Sequence, residues 1–129
     1  MCFIFAPHKI INLKKYLKHM AFVGKKFPDL SVNAMNEMGD TFKLNVLEEA
    51  KNNNKKVLLF WYPKDFTFVC PTELHAFQSA LAEFEKRNTM VIGASCDTAE
   101  VHFAWLNTPK NNGGIEGVTY PIIADSNRN

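Results

Sequence analysis

Apolar positions along the chain change their period several times, and each change predicts an element. Leu30, Val32 and Ala34 alternate with polar neighbours, which predicts a half-buried strand. Gly39-Asp40 predicts a turn, and residues 41–44 a short second strand. Residues 44–50 read as one or two helical turns that end in the polar loop Asn52-Asn53-Asn54. Lys56-Val57-Leu58-Leu59-Phe60-Trp61-Tyr62 is a continuous apolar run, as expected of a central strand buried on both faces. Residues 72–87 carry the strongest helical pattern. Leu74, Phe77, Leu81 and Phe84 recur at helical spacing, with Glu83, Glu85, Lys86 and Arg87 on the other faces. That stripe is read as core. Residues 89–95 predict a second buried strand. A short helix follows over 98–107, capped by Asp97 or Thr98. Then come a polar, Gly-rich loop at 109–117 and a third buried strand at 118–124. The alternation of strands and helices predicts an α/β fold.

One stretch carries chemistry as well as structure. Phe60-Trp61-Tyr62-Pro63-Lys64-Asp65-Phe66-Thr67-Phe68-Val69-Cys70-Pro71-Thr72-Glu73 runs an apolar strand into a short loop, and the loop delivers Cys70 just before a proline that opens a helix. Proline favours the first helical position because its missing N–H would have no intrahelical partner there. Cys70 therefore stands at or just before a first helical turn, where backbone N–H groups and the positive end of the helix dipole converge. Thiolates are favoured over thiols in such a field and are nucleophiles near neutral pH. Thr67 is placed to aim its hydroxyl at the same point, and Pro63 to stiffen the loop and shield the sulfur. The alternative is a buried structural cysteine beside a chance proline.

Pro63-x-x-x-Thr67-x-x-Cys70 resembles the active-site signature of the peroxiredoxins. The longer run from Phe60 to Glu73 is similar to their typical two-cysteine branch, which includes the alkyl hydroperoxide reductase C proteins and the thiol-specific antioxidant proteins. Asp97, Val101-His102-Phe103-Ala104-Trp105, Asn107-Thr108-Pro109, Gly113-Gly114-Ile115 and Tyr120-Pro121-Ile122-Ile123-Ala124-Asp125 follow in the family's order, so the resemblance covers residues 22–129. It implies a thioredoxin-like α/β fold and antioxidant reduction of hydrogen peroxide or small organic hydroperoxides. Cys70 would be the peroxidatic cysteine, becoming a sulfenic acid, with Thr67 orienting the peroxide oxygen and Pro63 closing the pocket. The resemblance also implies a resolving cysteine on another subunit, a homodimer or decamer, and thioredoxin or a flavoprotein disulfide reductase as reductant. It implies no cofactor and no metal. Glu73 is expected only to support the site, and Phe66, Phe68 and Trp105 are read as subunit-interface contacts or equally as core.

In the family, an arginine that contacts the sulfur, a strand hairpin, a final helix and the resolving cysteine all follow the segment matched here. Arg128 lies too close to the Tyr120-Pro121-Ile122-Ile123-Ala124-Asp125 motif to take the arginine's role, and Cys2 and Cys96 do not match the resolving position. The expectation is therefore a C-terminally incomplete fold, with a catalytically incomplete fragment that acts at most as a binding module as the alternative. The arginine matters because a free thiol is already about 3% ionised at neutral pH, so complete ionisation gains roughly thirtyfold at most. Further acceleration has to come from stabilising charge on the leaving oxygen. A thioredoxin-like disulfide oxidoreductase would need Cys-x-x-Cys, and Cys70 is followed by Pro71-Thr72-Glu73.

Composition bounds the rest. At 129 residues the chain is one domain at most, and 47% hydrophobic with 22% charged residues suits a soluble globular protein. A formal charge of +2 gives no argument for nucleic acid or membrane as partners, and no apolar stretch is long enough to span a bilayer. Three cysteines, Cys2, Cys70 and Cys96, are an odd number without framework spacing, which points to free thiols in a reducing compartment, the cytoplasm. Cys96, at the end of a buried strand, is read as a small buried hydrophobe. His75 and His102 are read as partly exposed histidines with no second ligand at metal spacing. Residues 1–19 run from apolar to basic, the reverse of a signal peptide. They are read as a non-native extension, or else as a basic targeting helix, ahead of a domain over residues 20–129 that starts at Met20.

Overall fold

The computed structural model describes residues 24–128. The expected extension at 1–19, the start at Met20 and the thiol of Cys2 lie outside the described residues. Among the described residues five strands form one mixed sheet: β1 (Ser31–Met35), β2 (Thr41–Asn45), β3 (Lys56–Trp61), β4 (Thr89–Ser95) and β5 (Ile122–Ala124). Their spatial order is β2-β1-β5-β4-β3. β1 runs antiparallel to β2 and to β5, whereas β5, β4 and β3 run parallel. The helices are α1 (Val46–Asn52), α2 (Cys70–Ser79), α3 (Leu81–Glu85) and α4 (Ala99–Leu106), with a 3-10 turn at Lys110–Asn112. None of the described helices is long and apolar enough to cross a membrane.

Side chains alternate between the two faces of a strand, and the core divides accordingly. Val91 and Ile122 join Met35, Leu74, Trp105, Leu106, Ile115, Val118 and Tyr120 in a cluster that also encloses Tyr62 and Cys70. Ile92, Ala94 and Ile123 join Ala34, Leu44 and Val46 in a second cluster. Each aliphatic or aromatic side chain withdrawn from water in this way contributes about 1.5–3 kcal/mol before entropy is counted. β5 is buried along its whole length, and β4 from Val91 through Ser95.

Several expectations change here. The run at 56–62 was expected to form a central strand buried on both faces. Among the described residues β3 pairs with β4 alone, Val57 to Phe60 are half-buried, and Trp61 is 55% exposed. A continuous apolar run reports that neither face is polar, and it is silent about strand neighbours. The central place falls to β5, flanked by β1 and β4. β5 is also shorter than the predicted 118–124. Pro121 cannot donate to a ladder, and its carbonyl instead accepts from Gly93 N at 3.0 Å. Val118 and Tyr120 are buried without being strand.

The predicted helix at 72–87 is two helices. α2 ends at Ser79, and Ala80, at φ −92° and ψ 0°, separates it from α3. The Ser79 hydroxyl donates to the His75 carbonyl at 2.9 Å, a back-bond that bends helices. Phe77, Leu81 and Phe84 still pack against the first cluster, so the apolar stripe survives the bend. Cys96 is exposed rather than buried, because the enclosed part of β4 stops at Ser95.

Candidate active site

The loop from Tyr62 to Val69 leaves the carboxyl end of β3 and turns back into α2. Tyr62 N donates to Ala94 O at 3.0 Å, which fixes the start of the loop to β4. Between Tyr62 and Cys70 the only fully buried residue is Asp65, at 2% exposure. Phe66 takes a positive φ of 55°, which costs a non-glycine residue roughly 1–2 kcal/mol and persists only where the surroundings enforce it. Its ring lies 5.9 Å from that of Trp105. Phe68 and Val69 project into solvent.

Cys70 is the first residue of α2 and is 3% exposed, with Pro71 buried behind it. No side chain caps the helix at Val69. Thr72 closes the turn, donating to the Val69 carbonyl from its N–H at 3.2 Å and from its hydroxyl at 2.7 Å. The first-turn N–H groups of a helix have no intrahelical acceptors, and Pro71 brings none. Glu73 lies exposed in the same turn. Thr67 is half-buried, and its hydroxyl donates to the Lys64 carbonyl at 3.1 Å, within the loop. Pro63 occupies the exposed entry to the loop, next to buried Tyr62.

The loop is fastened by a buried polar network that the sequence reading missed. The Tyr62 hydroxyl donates to Asp65 Oδ1 at 2.8 Å, and His102 Nδ1 lies 2.6 Å from Asp65 Oδ2. The other ring nitrogen, Nε2, lies 3.2 Å from the Ile123 carbonyl. Asp65 N donates to Asp97 Oδ2 at 2.9 Å, and the Ser95 hydroxyl donates to the same oxygen at 2.9 Å. Burial first, and then the neighbouring Asp65 carboxylate, push the Tyr62 phenol far above its ordinary value. His102 is therefore not a partly exposed histidine: it is wholly enclosed. Asp97 does not cap α4 either, because its carboxylate is committed to the loop. Thr98 holds the cap position without a side-chain bond to the helix backbone. A signal for His102 was available, since residues 102, 105 and 106 fall at i, i+3 and i+4 and all three are buried.

Trp105 is core, with no exposed surface. Its indole N–H donates to the Gly113 carbonyl at 2.8 Å, and Ile115 N donates to Trp105 O at 3.1 Å. Gly114 sits so close to the Thr108 carbonyl that a Cβ would overlap it. His75, half-buried on α2, reaches the Gly114 carbonyl through Nε2 at 3.2 Å. Among the described residues no three His, Cys, Asp or Glu side chains gather as a metal-holding group.

The model of the AhpC/TSA family matches residues 23–129. Peroxiredoxin-1 of Gekko japonicus is 46% identical over 108 residues, which are 84% of this chain and 53% of that protein. Alkyl hydroperoxide reductase C of Helicobacter pylori is 46% identical over 107 residues, 80% of this chain and 52% of that protein. The crystal structure of reduced Plasmodium vivax 2-Cys peroxiredoxin superposes with a TM-score of 0.77 at 35% identity, covering 84% of this chain and 55% of that one. The fold is thus thioredoxin-like, and the chain spans about half the length of the curated relatives it matches.

Proposed function

The chain belongs to the AhpC/TSA family, and on that premise we propose that it carries the peroxide-reacting centre of a thiol peroxidase, with Cys70 as the nucleophile. The substrates are hydrogen peroxide and small organic hydroperoxides. The Cys70 sulfur attacks the terminal oxygen of R–O–O–H. An S–O bond forms and the O–O bond breaks. Sulfur is oxidised by two electrons to a sulfenic acid, and the departing oxygen takes the thiol's proton and leaves as water or an alcohol. Thr67 orients the peroxide oxygen, and Pro63 closes the entry. In the whole protein a second thiol from a partner subunit condenses with the sulfenic acid. Thioredoxin or a flavoprotein disulfide reductase then restores both thiols. The assembly is a homodimer or decamer in the cytoplasm, and the domain runs over residues 20–129.

The observation that carries the reading is the placement of Cys70. It is the first residue of α2, enclosed except for 3% of its surface, and follows the carboxyl end of β3 in the parallel part of the sheet, where helix N-termini and strand ends meet. Such enclosure admits a small hydroperoxide more easily than a protein disulfide. The test is intact-mass detection of a single added oxygen after mixing the chain with stoichiometric hydrogen peroxide, beside the urea-unfolded chain and Cys70→Ser. Oxidation of the folded chain well ahead of the unfolded one, and dependent on Cys70, is the expected result. Equal rates would assign no peroxidase chemistry to these 129 residues.

A further inference from the structure

The buried network behind the loop does more than fill space. Between Tyr62 and Cys70, Asp65 is the one residue drawn fully inside, and a buried carboxylate is tolerated only where it is paired and hydrogen-bonded. Here the Tyr62 hydroxyl and His102 Nδ1 meet its two oxygens, at 2.8 and 2.6 Å. His102 meets an acceptor at each ring nitrogen, Asp65 on one side and the Ile123 carbonyl on the other. Both ring nitrogens are thus engaged. The charged and titratable groups around it are Asp65 and Tyr62 from the loop and, one bond further on, Asp97 from the end of β4. Among the described residues no buried side-chain nitrogen or oxygen in the structure lacks a partner. The imidazole thus bridges the middle of the loop, from helix α4, to the central strand β5.

We propose that His102 is a positioning residue for Cys70: its Nδ1 bond to Asp65 holds the loop from Tyr62 to Val69 closed over the sulfur, with the Ile123 carbonyl as the fixed point. The inference rests on Cys70 as the reacting thiol, and it deepens that reading by naming what keeps the thiol in place. Removing either partner strands the other in the interior, so the loop and not the whole domain opens first.

The test separates the two bonds of the ring. His102→Asn places an amide N–H where Nδ1 stands and retains the donor to Asp65. His102→Gln places it where Nε2 stands and retains only the donor to Ile123. Cys70 alkylation by N-ethylmaleimide is followed by peptide mapping, with exposed Cys96 as the internal reference. The expected result is Cys70 labelling faster by about tenfold or more in His102→Gln. His102→Asn should stay within about threefold of the parent, and urea unfolding should shift less than the labelling implies. In the same proteins, Cys70 oxidation by hydrogen peroxide should slow in His102→Gln and be restored in His102→Asn. Tyr62→Phe, which keeps the His102–Asp65 bond, gives a milder second variant with a labelling gain of about two- to threefold. Equal labelling in the Asn and Gln variants overturns the proposal. So does a labelling gain no larger than the loss of global stability. Labelling reads the loop without reference to peroxide. A parent chain that labels as expected but is not oxidised faster than its unfolded form refutes the peroxidase reading and leaves the clamp standing.

Discussion

Cys70 and Cys96 both follow neighbouring parallel strands of one sheet, yet the fold treats them in opposite ways. Cys96 comes directly after β4 and is exposed, two residues short of the α4 cap at Thr98. Cys70 is separated from β3 by a loop, opens a helix, and is buried in one cluster with Tyr62, Leu74 and Trp105. By exposure alone Cys96 would be the reactive thiol. Reactivity toward a peroxide, however, depends on favouring the thiolate and on stabilising charge on the departing oxygen, and both require a fixed environment. The contrast separates access from preparation: Cys96 has the first, and the proposed function assigns the second to Cys70.

The largest effect should come from removing the prepared thiol. Cys70→Ser is expected to eliminate the fast single-oxygen addition seen by mass spectrometry, while Cys96→Ser leaves its rate unchanged. A surviving fast phase in Cys70→Ser would reverse the assignment. Next comes the support beneath Cys70. Gly114→Ala forces a Cβ into the Thr108 carbonyl and disturbs the loop that holds the Trp105 indole. A loss of about 3 kcal/mol or more in urea unfolding is expected, with a narrowed difference between the two thiols.

A smaller effect concerns the two buried phenols. The Tyr120 hydroxyl donates to the Leu74 carbonyl at 2.9 Å, and burial raises the phenol above its ordinary value of 10. Tyr62 is raised as well. A group whose folded-state value is raised contributes its full stability below the unfolded value and loses it as pH climbs. Stability should therefore hold up to pH about 10 and fall beyond it. Tyr120→Phe should cost about 1 kcal/mol at neutral pH and flatten that alkaline decline. An unchanged decline, followed by circular dichroism, would deny the phenol that role. Least of all, Lys55→Ala breaks an exposed pair with Glu85, 2.7 Å long, at the end of β3 opposite the one that leads to Cys70. It should cost under about 1 kcal/mol and leave the ratio of Cys70 to Cys96 oxidation as it was.

Local chemistry was readable where one residue type has one dominant physical use. Pro71 announced the start of α2, and the period-two strands and the turn at Gly39-Asp40 appeared where alternation and glycine placed them. Neighbour relations were not readable. The apolar run of β3 looks the same at the edge of a sheet as at its centre, and which strand takes the centre is decided by the crossovers. The network was hidden for a related reason. Asp65 and His102 are 37 positions apart, and each alone looks like a polar surface residue. Only their pairing makes burial affordable. Cys96 failed in the opposite sense, since a strand that is buried to Ser95 gives no local sign that enclosure ends there.

The most direct measurement is a competition inside one molecule. The chain, with its three cysteines, is mixed with substoichiometric hydrogen peroxide, and the oxygen at Cys70 is compared with that at Cys96 by peptide mapping, folded and in urea. Cys70 is expected to take most of the oxygen in the folded chain despite its enclosure, and the preference to vanish on unfolding. Preferential oxidation of Cys96 in the folded chain would show that access outweighs preparation here, and would contradict the assignment of Cys70.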